Sequence, residues 1–216
     1  MAIQRLLIAN RGEIAIRIAQ AASDLAITSI GIHSTDDAPS LHVKSVDEAY
    51  GLEGTGVSAY LDIDQIVAAA KEMNCDAVHP GYGFLAESAS FATAVEDAGL
   101  IFVGPSPATL ALCGDKSEAR KTAVDAGVPI VRGTDHATSL EDVLDFFDSL
   151  GPDNAIMIKA IAGGGGRGTR VVTDRDEIEA AYERCQSEAD SAFGNGDLYV
   201  EQLIENARHI EVQIVG

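Results

Sequence analysis

Two lysines and a run of four glycines are the residues of this sequence best suited to holding a polyphosphate. Lys159 stands near the end of the apolar run Ala155–Ala160, and Gly163, Gly164, Gly165 and Gly166 follow, then Arg167 and Gly168. Consecutive glycines let a loop lie against phosphate oxygens and present backbone N–H groups with no side chain in the way, while a lysine on the preceding strand supplies a point charge. The loop falls between two stretches that read as strands, Ala155–Ala160 and Thr169–Val172. It neither opens a helix nor contains Gly-Lys followed by Ser or Thr, so a Walker loop and a dinucleotide fingerprint are both excluded. A flexible surface hairpin is the competing reading, but four glycines in a row carry an entropic cost that such a hairpin has no ligand to offset. Lys116 opens a predicted helix after Gly114 and Asp115, where helix amides and an ammonium together suit an oxyanion; a lysine so placed is more commonly a solvated charge. Glu201 carries the same discount as a solvated charge, although a carboxylate on the otherwise apolar strand Leu198-Tyr199-Val200-Glu201 is harder to dismiss; an edge strand could simply carry it. His209 and Glu211, two residues apart in an alternating stretch, share one face of a predicted strand. Arg167 and Arg208 read equally well as solvated surface and as phosphate contacts. His33, His42, His79, His136 and His209 show no metal-ligand spacing within a helix, and no Gly-x-Ser-x-Gly elbow occurs, which sets aside zinc and serine-hydrolase chemistry.

These residues need a frame. Arg5–Ala9 reads as a strand, Asn10–Gly12 as a turn and Glu13–Ala22 as a helix with Ile14, Ile18 and Ala21 at helical spacing. The alternation continues through a strand at Ile27–Ile32, a helix at Asp62–Met73, a strand at Ala77–His79, a helix at Glu87–Ala98 and a strand at Leu100–Val103. Strands alternating with helices predict a parallel α/β sheet of Rossmann-like type, with ligands expected at the carboxyl ends of its strands, where Asn10–Gly12 and Pro80–Gly83 fall. Helices are predicted at Gly114–Ala126 and Ser139–Leu150, each stopped by Gly and Pro. A small α+β unit follows: the two strands flanking the glycines, a helix at Asp174–Glu188 and a strand at Leu198–Ile204. His209–Val215 alternates as a further strand with nothing after it to cover its apolar face, so the chain is expected to stop inside a domain. The expected organisation is 1–113, 114–203 and 204–216.

With 34 acidic and 15 basic side chains the net charge is −19. Such a field repels nucleic acid and anionic membranes, so an anionic ligand must be held by local cations and amides. Three cysteines, with no Cys-x-x-Cys pair, support neither a disulfide framework nor a zinc cluster and point to a reducing cytoplasm. The first apolar run is too short for a signal peptide, and no 18 apolar residues run together.

Taken in order, IANRGEIAIR at Ile8–Arg17, HPGYGFLAE at His79–Glu87, FVGPSP at Phe102–Pro107, GDK at Gly114–Lys116, IKAIAGGGGRG at Ile158–Gly168 and EQLIENARHIEVQ at Glu201–Gln213 resemble the biotin carboxylase family, the ATP-grasp component of biotin-dependent carboxylases. The resemblance covers essentially the whole chain. It implies a pre-ATP-grasp domain over 1–113, an ATP-grasp lid subdomain over 114–203 and the first strand of a C-terminal subdomain over 204–216. It further implies that Lys116 and Lys159 contact nucleotide phosphates, that Gly163–Gly166 form a closing lid, and that Glu201, Gln202, Leu203 and Ile204 line the adenine pocket with the strand backbone reading the base edge. His209 would sit near the ribose and the reacting groups. Thr169 departs from the Met common in the family, with less apolar area for the adenine. The implied reaction is MgATP-dependent carboxylation of biotin by bicarbonate through carboxyphosphate. Its partners would be a biotin carboxyl carrier and a carboxyltransferase, as subunits or domains, in a homodimer or larger assembly. Mg²⁺ ligands and the remaining catalytic residues would lie beyond Gly216, leaving the 216 residues inactive alone. Another ATP-grasp ligase, such as a carbamoyl-phosphate or purine-pathway enzyme, and a non-catalytic nucleotide-binding fragment are the alternatives.

Overall fold

The computed structural model describes residues 2–134, 136–151, 155–161 and 168–212, those at 116 and 117 by their backbone alone. The chain divides into two compact units, Met1–Asp115 and Lys116–Gly216.

The first unit runs β1 (Arg5–Ile8), α1 (Gly12–Asp24), β2 (Thr28–His33), β3 (Glu48–Gly51), α2 (Ile63–Glu72), β4 (Ala77–His79), α3 (Ala89–Asp97), β5 (Ile101–Phe102) and α4 (Pro107–Gly114). All strand pairs are parallel, in the order β3-β2-β1-β4-β5. A parallel sheet must be covered on both faces, and alternate residues of β1 serve the two layers. Leu6 and Ile8 pack with Ile18, Ala19 and Ala22 of α1, while Leu7 joins Ile66, Phe91, Val95 and Leu110 of α2, α3 and α4. The helices begin where side chains can satisfy their first amides: Asp62 accepts from Gln65 N–H, Ser88 from Phe91 N–H and Ser106 from Thr109 N–H, the last with Pro107 in the first turn.

The second unit runs α5 (Lys116–Asp125), α6 (Leu140–Ser149), β6 (Ile156–Ala160), β7 (Thr169–Val172), α7 (Ile178–Phe193) and β8 (Leu198–Gln202). Its antiparallel sheet has the order β7-β6-β8. Ile156, Ile158, Ala160, Leu198 and Val200 bury one face against Val143 and Phe147 of α6 and Ile178, Cys185 and Ala189 of α7. A reciprocal Ser139–Asp142 cap starts α6, and Gly194, in the left-handed region at φ 69°, ends α7.

The expected α/β architecture stands, and most elements lie within two residues of their predicted bounds. Three differences have physical causes. β3 was not anticipated, because Glu-Ala-Tyr-Gly is a short edge strand with only partial burial. The stretch Pro107–Asp125 is two helices, broken at Asp115, and the first is too uniformly apolar to show a stripe. Of the strand expected over His209–Val215, the described residues His209–Val212 form no ladder, and Ile210 and Val212 are exposed. Alternation alone makes no strand without a neighbour to pair with and a face to bury; residues 213–215 lie outside the described ones.

Beyond β2, Asp37 organises the loop over the sheet's carboxyl edge. It accepts hydrogen bonds from Arg11 Nη1 (2.7 Å), Tyr60 OH (2.9 Å) and Ser40 Oγ (3.1 Å). Burial by itself pushes this carboxyl up, but the three donors outweigh it and hold it at about 2. Burial and the bond to Asp37 push the Tyr60 phenol up to about 12. Because the Asp37 value is depressed below its ordinary 3.8, the carboxylate stabilises the fold above about pH 4, and that contribution fades as the pH falls towards about 2. Asp37→Asn is therefore expected to flatten the acid limb of the stability curve, read by urea unfolding between about pH 5 and pH 2.5. An unchanged slope would assign the acid limb to other carboxylates.

Candidate functional site

The three-stranded sheet of the second unit has a second face that the helices α6 and α7 do not cover. Strand alternation sends Met157 and Lys159 of β6 to it, with Thr169 and Val171 of β7 on one side and Tyr199 and Glu201 of β8 on the other. Lys159 stands directly between Thr169 and Tyr199, its ammonium 5.9 Å from the Tyr199 ring centre. Glu201, one diagonal step away, pairs with it through Oε2. The other oxygen, Oε1, lies 3.4 Å from Nη1 of Arg120 on α5, whose Nη2 donates to the Val131 carbonyl at 2.9 Å. One carboxylate thus lies between two cations on a partly exposed sheet face. Burial first, and the Glu201 charge second, raise the Tyr199 phenol above its ordinary value.

The outer side of β8 is lined by the segment that precedes α6. Thr134 N–H donates to the Val200 carbonyl (2.9 Å), Gln202 N–H to Arg132 (2.8 Å) and Thr138 N–H to Leu198 (2.8 Å). Gly133 faces Glu201 across this seam. Leu203 N–H donates to the Ala155 carbonyl (2.8 Å), so the amides of Gln202 and Leu203 are committed inside the fold. Among the described residues, the Ile204 amide has no partner, and its side chain is exposed.

The structure therefore brings Lys159 and Glu201 together and puts Gln202, Leu203 and Ile204 at the end of the same strand. Glu201 does lie on the edge strand of the ladder, yet it is partnered on both oxygens. Lys116 is the first residue of α5, one helical turn before Arg120, and its side chain is outside the described set, as are Gly163–Gly166 and Arg167. What is described of the hairpin is its base: β6 and β7 are antiparallel neighbours, and Ala160 N–H donates to the Gly168 carbonyl at 2.8 Å. Gly168 itself has φ 65° and leaves no room for a Cβ, which would fall 2.9 Å from that of Ala160. His209 is 87% exposed, with Nε2 3.7 Å from Glu211 Oε2, and no described contact joins it to Lys159, Glu201 or Arg120. Arg120, Tyr199 and Gly133 were not picked out from sequence. The only signal for Arg120 was its place one turn after Lys116.

In the first unit the two expected turns lie where the strand order reverses, after β1 and β4. Asn10 sews them together: Nδ2 donates to the carbonyls of Pro80 (2.7 Å) and Tyr82 (2.8 Å), and Oδ1 accepts from Arg11 N–H (2.8 Å). Gly81, at φ 67°, is required there, since a Cβ would meet Asn10 Nδ2 at 2.8 Å. His79 Nδ1 accepts from Gly81 N–H at 3.0 Å, and burial pushes its ring below the ordinary value, which keeps it neutral with the proton on Nε2.

Residues 2–110 match the family described as biotin carboxylase, N-terminal domain, and residues 115–216 the family described as carbamoyl-phosphate synthase L chain, ATP binding domain. Human mitochondrial pyruvate carboxylase is 52% identical over 218 residues, covering 99% of this chain and 18% of that protein. Bacillus subtilis pyruvate carboxylase is 49% identical over 218 residues, covering 99% and 19%. The biotin carboxylase domain dimer of Hydrogenobacter thermophilus 2-oxoglutarate carboxylase, solved with MgADP, ADP and bicarbonate, superposes with a TM-score of 0.87 at 39% identity, over 95% of this chain and 45% of that one. Campylobacter jejuni biotin carboxylase, solved as a β,γ-ATP complex, gives 0.88 at 37% identity, over 95% and 46%. The fold is that of an ATP-grasp ligase. Within that class the chain belongs to the biotin carboxylase family and is homologous to the N-terminal part of pyruvate carboxylases. It spans less than a fifth of the curated relatives' length and under half that of the solved domains.

The seam beside β8 yields a direct test. A Cβ at Gly133 would lie 2.7 Å from the Val200 carbonyl oxygen and 3.1 Å from Glu201 Cγ. Gly133→Ala is expected to cost about 1–3 kcal/mol in urea unfolding, whereas Gly114→Ala, where nothing lies within 4 Å, should cost less. Equal effects would mean that the seam gives way without strain.

Proposed function

We propose that this chain carries the nucleotide-binding part of a biotin carboxylase, which uses MgATP and bicarbonate to carboxylate biotin on a carrier protein or domain. The observation that carries this reading is Lys159, a cation held on the open face of β6 by Glu201 at the foot of the glycine-containing hairpin. The names of the solved relatives, with MgADP, bicarbonate or an ATP complex, support it.

Bicarbonate is a poor electrophile. Phosphorylating it to carboxyphosphate supplies a leaving group and gives carbon dioxide for attack by a ureido nitrogen of biotin. Such a reaction asks the protein to position anions and neutralise developing charge more than to form covalent bonds itself. In that scheme Lys159 and Lys116 bind the nucleotide phosphates, with Gly163–Gly166 closing over them. The strand end at Glu201, Gln202, Leu203 and Ile204 borders the adenine. Because the Gln202 and Leu203 amides are already used, the Ile204 N–H is the amide of this strand end left to read the base edge. His209 is assigned to the ribose side, which requires it to turn inward from its exposed position. Thr169, across from Lys159, presents little apolar area to the base. Mg²⁺, when bound, neutralises phosphate charge and aligns the transferred group. No cluster of three or more His, Cys, Asp or Glu converges among the described residues, so no ligand set for it is assigned to them.

Like the Hydrogenobacter domain, named as a dimer, the whole protein is proposed to be a homodimer or larger, acting with a biotin carrier and a carboxyltransferase. Cys75, Cys113 and Cys185 are free thiols, in keeping with a reducing compartment such as the cytoplasm. No helix among the described residues is long and apolar enough to cross a membrane.

The test is ADP release with MgATP, dependent on both bicarbonate and biotin, by the protein made from its complete natural reading frame. Lys159→Met is expected to lower kcat/KM for ATP at least about 100-fold, and the 216 residues alone are expected to show no turnover. ATP-dependent release indifferent to biotin would move the reading to another ATP-grasp ligase, and nucleotide binding without turnover to a non-catalytic binding role.

A further inference from the structure

We infer that Arg120 is a positioning residue of the nucleotide site: by sharing the Glu201 carboxylate with Lys159, it keeps Lys159 available to a polyphosphate without touching the nucleotide itself. This rests on the proposed reading of Lys159 as a phosphate ligand.

Helix α5 is predominantly polar, yet the Arg120 side chain is only 18% exposed, while Glu118 and Lys121 beside it face solvent. Its Nε is buried and has no hydrogen-bond partner among the described residues. A side chain whose task is to pack α5 against its surroundings would do better without a buried unsatisfied donor, which is unfavourable and asks for another explanation. The planar fork does make two useful connections, one to the Val131 carbonyl and one to Glu201 Oε1. Val131 adjoins the segment that lines β8, so the guanidinium is fixed from one side and faces the carboxylate with the other.

Charge explains what that arrangement does. With Lys159 as its only partner, Glu201 would form a closed pair of zero net charge. An incoming phosphate would then have to detach the lysine and would be repelled by the carboxylate left behind. With Arg120 present, the three side chains carry a net +1, an island of positive charge in a chain of −19. When Lys159 turns to the phosphate, Glu201 remains neutralised. The 3.4 Å separation between Arg120 and Glu201 exceeds the roughly 2.7–2.9 Å of a tight charge-assisted bond, so this contact has room to shorten as Lys159 leaves.

The experiment is a double-mutant cycle in the protein made from its complete natural reading frame, reading bicarbonate- and biotin-dependent ADP release. Arg120→Met is expected to raise KM for ATP roughly tenfold, the size of one charge-assisted bond, with KM for bicarbonate and kcat little changed. Arg120→Lys should recover part of the loss, since it restores the charge without the fork. In a Glu201→Gln background, where no carboxylate holds Lys159, Arg120→Met should add little. If Arg120→Met does not fold, Arg120→Lys and Arg120→Gln in the two backgrounds carry the same comparison. An unchanged KM for ATP in the Arg120 variants, or an effect equally large in both backgrounds, would overturn the inference and leave Arg120 a tie between α5 and the sheet. If Lys159→Met itself leaves ATP dependence untouched, the phosphate reading of the site fails, and this inference falls with it.

Discussion

Carboxylates outnumber cations by more than two to one in this chain, and that excess governs where its positive charge is held. Arg5 is clasped by both oxygens of Glu48, Arg11 by Asp37, Arg170 by Glu188, Arg175 by Asp148 and Lys159 by Glu201. Most of these pairs are solvent-facing and add little to stability. Their effect is positional. So acidic a protein keeps its few cations at defined places, since a paired side chain is far less free to wander than an unpaired one. The Glu201 cluster differs from the rest because two cations meet at one carboxylate, on the sheet face turned away from α6 and α7.

The same economy of position appears in the first unit, where backbone takes the part that charge takes in the second. The reversal of strand order after β1 and β4 leaves the ends of two loops side by side, and the Asn10 amide spans them. Gly81 adopts a left-handed conformation that lets the Pro80 and Tyr82 carbonyls both face one side-chain nitrogen. Two segments some 70 residues apart in sequence are thereby fixed to each other by one side-chain amide.

Much of this was legible beforehand, and the parts that were not have a common cause. Strands such as β1 and β2 and helices such as α2 and α6 announce themselves through apolar periodicity and capping residues, which are local properties. Lys159 and Glu201 were visible for the opposite reason: each is a charge in an apolar strand, an anomaly that needs no knowledge of the partner. Arg120 carries no such mark. It sits in a helix that is mostly polar, and its contact with Glu201 spans 81 residues of sequence. The alternation at His209–Val212 misled in the complementary way, because period two states what a strand would bury but not whether a neighbour exists to pair with it. Gln202 closes β8 and Leu203 lies one residue past it, and the use of their amides within the fold depended on Arg132 and Ala155, which no local pattern links to them.

The seam along β8 also bears on how the protein behaves in a crowded solution. An exposed strand edge is a template on which other chains can grow by main-chain pairing. On β8 that template is already consumed by main-chain bonds to Arg132, Thr134 and Thr138. The other edge, β7, has Arg170 near its middle, a charge that a second copy stacking edge to edge would have to accommodate. The small sheet thus carries an occupied edge on one side and a charged edge on the other, two features that oppose fibrous self-association.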